Sequence, residues 1–260
     1  MIALLGGAGS SLGFSTPLIA ACVSRLTGAE HDFGLEVVVV GLCVALFASS
    51  VWFGLEKGIK RLSDVNLLLA LALLIGMLAI GPTVFLIKTS LNSVGLLFSQ
   101  FLRMNSWTDP FSTSGFVENW TVFYWAWWIA YGPFVGLFVT RISRGRTIRE
   151  VVTGMVGWGS LGTGVFFMIM GNYSLHLELT GVLSVTELLA NDGAPTAIVA
   201  ALDSMPLGSI LIAIFCLVAL IFAATTYDSA SYTLAAAATR RLTPGDDPPR
   251  WHRLFWAISL

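Results

Sequence analysis

The 260-residue chain is 56% hydrophobic and only 11% charged, with nine tryptophans and a formal net charge of −1. Soluble domains carry roughly 25% charged residues, so this composition, with a mean hydropathy of +0.81, excludes an ordinary soluble domain. The near-zero net charge offers no basic surface for nucleic acid.

The charges are clustered, leaving residues 66–87 and 119–140 without any Asp, Glu, Lys or Arg. About 20 residues suffice to cross a ~30 Å hydrocarbon core. The apolar runs are continuous instead of alternating, which predicts spanning helices and not barrel strands. Taken in chain order, six spans are expected at about 2–24, 34–55, 65–87, 119–140, 151–171 and 206–234, with a truncated seventh from 254. They form a single transmembrane domain over 1–260. Met1 is followed directly by apolar and small residues with no basic stretch, so the start does not read as a signal peptide. The closing "RLFWAISL" opens a new apolar run and stops within it, so the chain is expected to be incomplete.

The first span carries "GGAGSSLGFSTP", four glycines with the hydroxyls of Ser10, Ser11, Ser15 and Thr16. Small residues permit close helix approach and the hydroxyls can line an ion path; close packing alone explains the stretch equally well. After the third span, "TSLNSVGLLFSQFLRMN" places Leu91, Val94, Leu97, Phe98, Phe101 and Leu102 near helical period, as in a helix lying on the membrane surface. "SVTELLANDGAPTAIVAALDS" has the same expectation before span six.

The fourth span is the most distinctive. "WTVFYWAWWIAYGPFVG", residues 120–136, holds seven aromatic residues and no charge in its first twelve positions. In a helix Tyr124, Trp127, Trp128 and Tyr131 stand at i, i+3, i+4 and i+7, on one stripe, while Trp125 points elsewhere. An interfacial aromatic belt accounts for Trp120. Tyr131, roughly 16 Å further along at 1.5 Å per residue, lies near the bilayer midplane, below any belt. A wall of rings at that depth suits a quaternary ammonium held by cation–π attraction; composition alone leaves core packing as an equal alternative. Pro133 removes a backbone donor just past the stripe, giving either an ordinary kink or carbonyls freed for a cation.

In span six, Thr225, Thr226, Ser229 and Ser231 surround Asp228, a carboxylate in an otherwise uncharged run. An intramembrane acid is a functional candidate by default, but Asp228 lies close to the inner end of its span, where a gate or a structural pair is as good a reading as an ion ligand. Cys22, Cys43 and Cys216 fall in apolar runs and behave as small hydrophobes. His31, His176 and His252 are expected in loops, without metal-ligand spacing. No phosphate-binding loop or hydrolase nucleophile signature is present, so the chain is not expected to be an enzyme.

Basic residues orient the spans. Alternate connections hold eleven Lys and Arg (57, 60 and 61; 141, 144, 146 and 149; 240, 241, 250 and 253) against three elsewhere (Arg25, Lys88 and Arg103). The positive-inside rule therefore puts residue 1 and loops 55–65, 141–150 and 238–253 in the cytoplasm of a cell whose inner (plasma) membrane holds the chain.

"WTVFYWAWWIAYGPFVGLFVTRISRGRTIRE" closely resembles the signature region of the betaine/choline/carnitine transporter (BCCT) family, and "SSLGFSTPL", "KGIKRLSDVN", "TDPFSTSGF" and "DSASYTLAAA" resemble further family segments in order. The resemblance covers essentially the whole chain. It implies an all-α polytopic membrane protein, part of a twelve-helix transporter with inverted five-helix repeats and a LeuT-like core, often a homotrimer. The six spans would be helices five to ten, and the truncated seventh the start of eleven. The family's fifth helix runs outward, as the charge count gave independently. The absent third helix carries further substrate and sodium contacts, so this chain alone is not expected to transport.

Carried over position by position, the resemblance makes Trp127, Trp128 and Tyr131, with Tyr124 beside them, the substrate box. Tyr131 stands where betaine symporters resemble one another in having tryptophan, and so looks like the carnitine-exchanging branch. Asn66 and Val135 point away from that branch, which has arginine and methionine there. Phe222, Thr225 and Thr226 match a sodium-binding pattern, and Phe134 a second sodium-site position. Asp228, Arg141, Arg144 and Arg146 are gating or regulatory candidates, although membrane topology alone accounts for the arginines. The resulting expectation is secondary transport of a quaternary ammonium solute (glycine betaine, choline or carnitine type) by sodium-coupled symport. The alternatives are a sodium-independent carnitine/betaine-type exchanger or a non-transporting osmolyte sensor. The expected partners are the solute, sodium and the lipid bilayer, with no other cofactor.

Overall fold

The computed structural model describes residues 2–52, 56–111, 114–240 and 247–260. Every regular element among them is helical: α1 (Ile2–Thr27), α2 (Phe33–Trp52), α3 (Glu56–Ile80), α4 (Thr83–Ser99), α5 (Phe101–Asn105), α6 (Phe123–Ile142), α7 (Ile148–Phe166), α8 (Asn172–Thr180), α9 (Val185–Asn191), α10 (Gly193–Asp203), α11 (Gly208–Ala238) and α12 (Arg250–Ser259). Two π-helical turns, Val117–Val122 and Phe167–Gly171, run directly into α6 and α8. Three stretches among the described residues are long and apolar enough to cross a membrane: Arg61–Ile80, Ile148–Thr180 and Gly208–Ala238.

Among the described residues each expected span falls on a helix, residues 53–55 of the second lying outside them, but several boundaries differ for local reasons. The third was expected to run to 87; instead α3 stops at Ile80 and α4 starts at Thr83. Pro82 lacks an N–H and disfavours helical backbone at the residue before it, and the Thr83 hydroxyl donates back to the Leu78 carbonyl at 2.7 Å. The fifth expected span, 151–171, is the middle of a continuous helical stretch that begins at Ile148, where Thr147 and Glu150 form a reciprocal capping box. Through the π turn the stretch continues to Thr180, where Gly181 ends it in a left-handed conformation.

The two expected surface helices differ from each other. α4 and α5 leave Phe98 and Leu102 largely exposed, yet α4 is tied to the π turn before α8 by Ser90, whose hydroxyl donates to the Met168 carbonyl and accepts from Asn172 Nδ2. The stretch 184–204 is broken at Gly193, and α10 buries Ala197, Val199, Ala201 and Leu202 in the main core. The histidine expectation also needs correction, because His176 lies on α8 and His252 on α12.

The core is organised around α11, which packs against α1, α2, α3, α6, α10 and α12. One cluster joins α1, α3, α8, α10 and α11 through Cys22, Leu73, Met77, Tyr173, Leu202 and Ile212. A second joins α1, α2, α11 and α12, and a third, smaller one brings Ala8 of α1 against Ala230 and Leu234 of α11, with Tyr131 and Val135 of α6 packed on them. This third cluster seats the aromatic stripe on the rest of the fold. An apolar cavity lined by residues such as Met77, Phe166, Met170 and Phe215 lies elsewhere and shares no lining residue with the stripe.

Candidate functional site

α6 carries the stripe as a ladder of rings. Trp120 stacks on Tyr124, with centroids 6.2 Å apart and planes at 16°. Tyr124 meets Trp127 edge to face at 6.2 Å, and Trp127 stacks on Tyr131 at 5.6 Å and 26°. These are i, i+4 and i, i+3 neighbours, as a helix dictates. Trp128 closes a corner, tilted 59° to Trp127 at 5.6 Å and nearly perpendicular, 84°, to Tyr131 at 6.4 Å. Trp125 is off the stripe and exposed. Pro133 lies inside α6 without ending it, and Val135 follows on the side that packs against Ala8, Ala230 and Leu234.

The wall is backed on one side only. α1 lies behind Trp127 and Tyr131, where the Trp127 indole N–H donates to Ser10 Oγ at 3.0 Å. Gly7 sits under Tyr131 so closely that a Cβ there would meet the ring's Cδ2 at 2.6 Å. On the other side Trp128 is 53% and Tyr124 42% exposed. The corner is therefore backed by α1 at Trp127 and Tyr131 and exposed at Trp128.

The four span-one hydroxyls all bond backward along α1: Ser10 and Ser11 donate to the Gly7 carbonyl, Ser15 and Thr16 to that of Leu12. Their lone pairs remain available as acceptors, and Ser10 uses one for Trp127. The Thr225 and Thr226 hydroxyls likewise both donate to the Phe222 carbonyl, each at 2.9 Å. This gathers three neutral oxygens in one turn of α11, the hard donor type that a sodium ion takes. Thr226 precedes Ala230 by one helical turn, about 6 Å, and Ala230 belongs to the cluster on which Tyr131 packs. The side chains of Phe134 and Arg141 lie outside the described residues, although both positions are within α6.

Asp228 is a paired acid. Its Oδ1 accepts from Arg253 Nη2 of α12 at 2.7 Å, with the side chains 17% and 10% exposed. The Arg253 guanidinium also lies 5.2 Å from the Tyr232 ring centroid, and the Tyr232 hydroxyl donates to Asp247 at 2.8 Å. The pair ties α11 to α12. Arg144 and Arg146 are exposed in a turn that Gly145 closes with a φ of +82°. Sequence reasoning missed Arg253 and Gly7, and gave Ser10 no partner. Nothing in spacing along one helix identifies a contact made by another.

The model of the family described as BCCT, betaine/carnitine/choline family transporter, matches residues 1–260. The chain belongs to this family. It is 39% identical over all 260 residues to a protein of Escherichia coli (strain K12) named uncharacterized transporter YeaV, covering 54% of that protein. It is 37% identical over the same length to a carnitine transporter of Acinetobacter baumannii, covering 47% of it. The BCCT chain thus spans about half the length of these curated relatives. With its apolar helices, family membership makes it a polytopic membrane protein of transporter type, and both relatives are named as transporters.

Proposed function

We propose that this chain is the central part of a secondary transporter for a quaternary ammonium solute, with the cationic head held at the corner of Trp127, Trp128 and Tyr131. The observation that carries this reading is the ring corner itself. Three rings meet at 5.6–6.4 Å, with Trp128 of the three exposed, and no side chain in it can ionise to a cation at neutral pH. A head group without N–H donors gains nothing from hydrogen bonds, so ring quadrupoles are the attraction available to it. The family name supports the solute class, and the relative named a carnitine transporter supports a carnitine or betaine type within it.

In this reading the helices in the six apolar runs make six crossings of a twelve-helix, LeuT-like core, and the missing wall is supplied by helices of the full-length protein. A sodium ion would draw on the Phe222 carbonyl and the Thr225 and Thr226 hydroxyls, whose chemistry fits a hard monovalent cation. Symport follows if the ion and the solute favour the same conformational state, since a ligand shifts such an equilibrium only through differential affinity.

The test is uptake of labelled carnitine, glycine betaine and choline by cells expressing the full-length gene product. Trp128→Leu is expected to abolish it, and replacing sodium at constant ionic strength to stop it. Normal uptake by the Trp128 variant sinks the box; unchanged uptake without sodium reassigns the protein to exchange.

A further inference from the structure

We infer that Ser10 is a positioning residue for the aromatic corner, fixing which edge of the Trp127 indole faces the solute. This rests on the proposed quaternary ammonium box. An indole has one donor and no acceptor, and the Trp127 N–H is spent on Ser10 Oγ at 3.0 Å. Ser10 is itself held, because its own hydroxyl proton goes to the Gly7 carbonyl at 3.0 Å. The acceptor lone pair aimed at Trp127 is therefore set by the α1 backbone.

The other contacts of Trp127 do not choose an orientation. It stacks on Tyr131 and meets Tyr124 and Trp128 by ring faces and edges. A flip of the ring about its second side-chain torsion preserves much of that contact, since such torsions have broad, roughly two-fold preferences. What a flip changes is where the N–H points. Bonded to Ser10, the positive N–H edge is turned into α1, and the corner offers ring face and hydrocarbon edge alone. Flipped, a donor edge would enter the corner and repel a cationic head. Ser10 thus favours a head group that carries charge without needing a hydrogen-bond partner, which is the chemistry of a trimethylammonium group.

The test uses the full-length gene product in proteoliposomes, with labelled carnitine and glycine betaine as probes. Ser10→Ala is expected to raise KM about tenfold, the loss of one hydrogen bond, with kcat changed less than about twofold. Ser10→Thr, which keeps the hydroxyl, is expected to restore KM. In a Trp127→Phe background Ser10→Ala is expected to add nothing. Equal losses from Ala and Thr, a fall confined to kcat, or an undiminished effect in the Trp127→Phe background each overturn the inference. Ultraviolet resonance Raman separates this from the box reading. The indole N–H band is expected to shift in Ser10→Ala and not in Ser10→Thr, whether or not a solute is carried. An unshifted band overturns the positioning role. A shifted band with no saturable uptake of either probe by the unaltered protein overturns the box and leaves the hydrogen bond standing.

Discussion

At position 7 the absence of a side chain decides how deep the aromatic wall can sit. A Cβ there would lie 2.6 Å from Tyr131 Cδ2 and 3.4 Å from Cε2, whereas one at Gly6 would meet nothing within 4 Å. The two glycines are adjacent in the same helix, so they share backbone propensity and differ only in what they face. Ala in place of Gly favours a helix interior by about 1 kcal/mol, and overpacking a filled site costs about 1–3 kcal/mol. Gly6→Ala is therefore expected to raise the thermal unfolding temperature of the detergent-solubilised full-length product slightly. Gly7→Ala is expected to lower it and to weaken solute binding, because Tyr131 must move off the corner. Matching melting temperatures for the two variants would remove Gly7 from the wall. The sequence makes Gly7 one of four glycines permitting close approach; it does not say which of them is approached, because that depends on α6, 124 residues away along the chain.

Between elements, Asp228 and Arg253 form a polar tie that joins α11 to α12 at 2.7 Å with both groups largely buried. Removing one partner of a buried pair leaves an uncompensated charge and costs about 3–5 kcal/mol, while replacing both with apolar groups of similar volume is often neutral. Arg253→Met and Asp228→Leu are each expected to lower the melting temperature sharply, and the double variant to recover most of the loss; additive losses would mean the two do not act as a pair. The contrast between what was and was not legible runs along this same line. The helices were readable because each apolar run is long, uncharged and continuous, and the i, i+3, i+4, i+7 stripe was readable because it is set by one helix's own geometry. The stop at Ile80 had a local signal, Gly81-Pro82, which the hydropathy of the flanking residues overrode. The burial of α10 had none that stood out, since small residues suit a packed helix and a surface one alike. Counting residues put Asp228 close to the end of its span, whereas α11 runs on to Ala238, ten residues beyond it; its partner belongs to a different helix, and so does the acceptor of the Trp127 indole.

Across the whole molecule, contacts between helices fix the relative directions of α1, α6 and α11. The beginning of α1, through Leu5 and Ala8, packs with the later half of α11 at Ala230 and Leu234, and its end, Arg25, pairs with Asp203 at 2.7 Å, five residues before α11 starts. α1 and α11 are therefore antiparallel. Along α6, Phe123 meets Phe14 of α1, Trp127 bonds Ser10 and Tyr131 lies over Gly7, so α6 runs against α1 and with α11. First, fourth and sixth crossings of an alternating bundle have this relation. From the excess of arginine around residues 141–149 we propose that the end of α6 faces the cytoplasm. Sidedness can be measured with a membrane-impermeant maleimide after replacing Cys22, Cys43 and Cys216 with alanine. Arg144→Cys, in the basic turn after α6, is expected to react only once the cells are opened, and Asp192→Cys, between α9 and α10, to react in intact cells. The reverse pattern would turn the bundle over, and reaction of both in intact cells would mean that the stretch from α7 to α8, Ile148 to Thr180, does not cross at all.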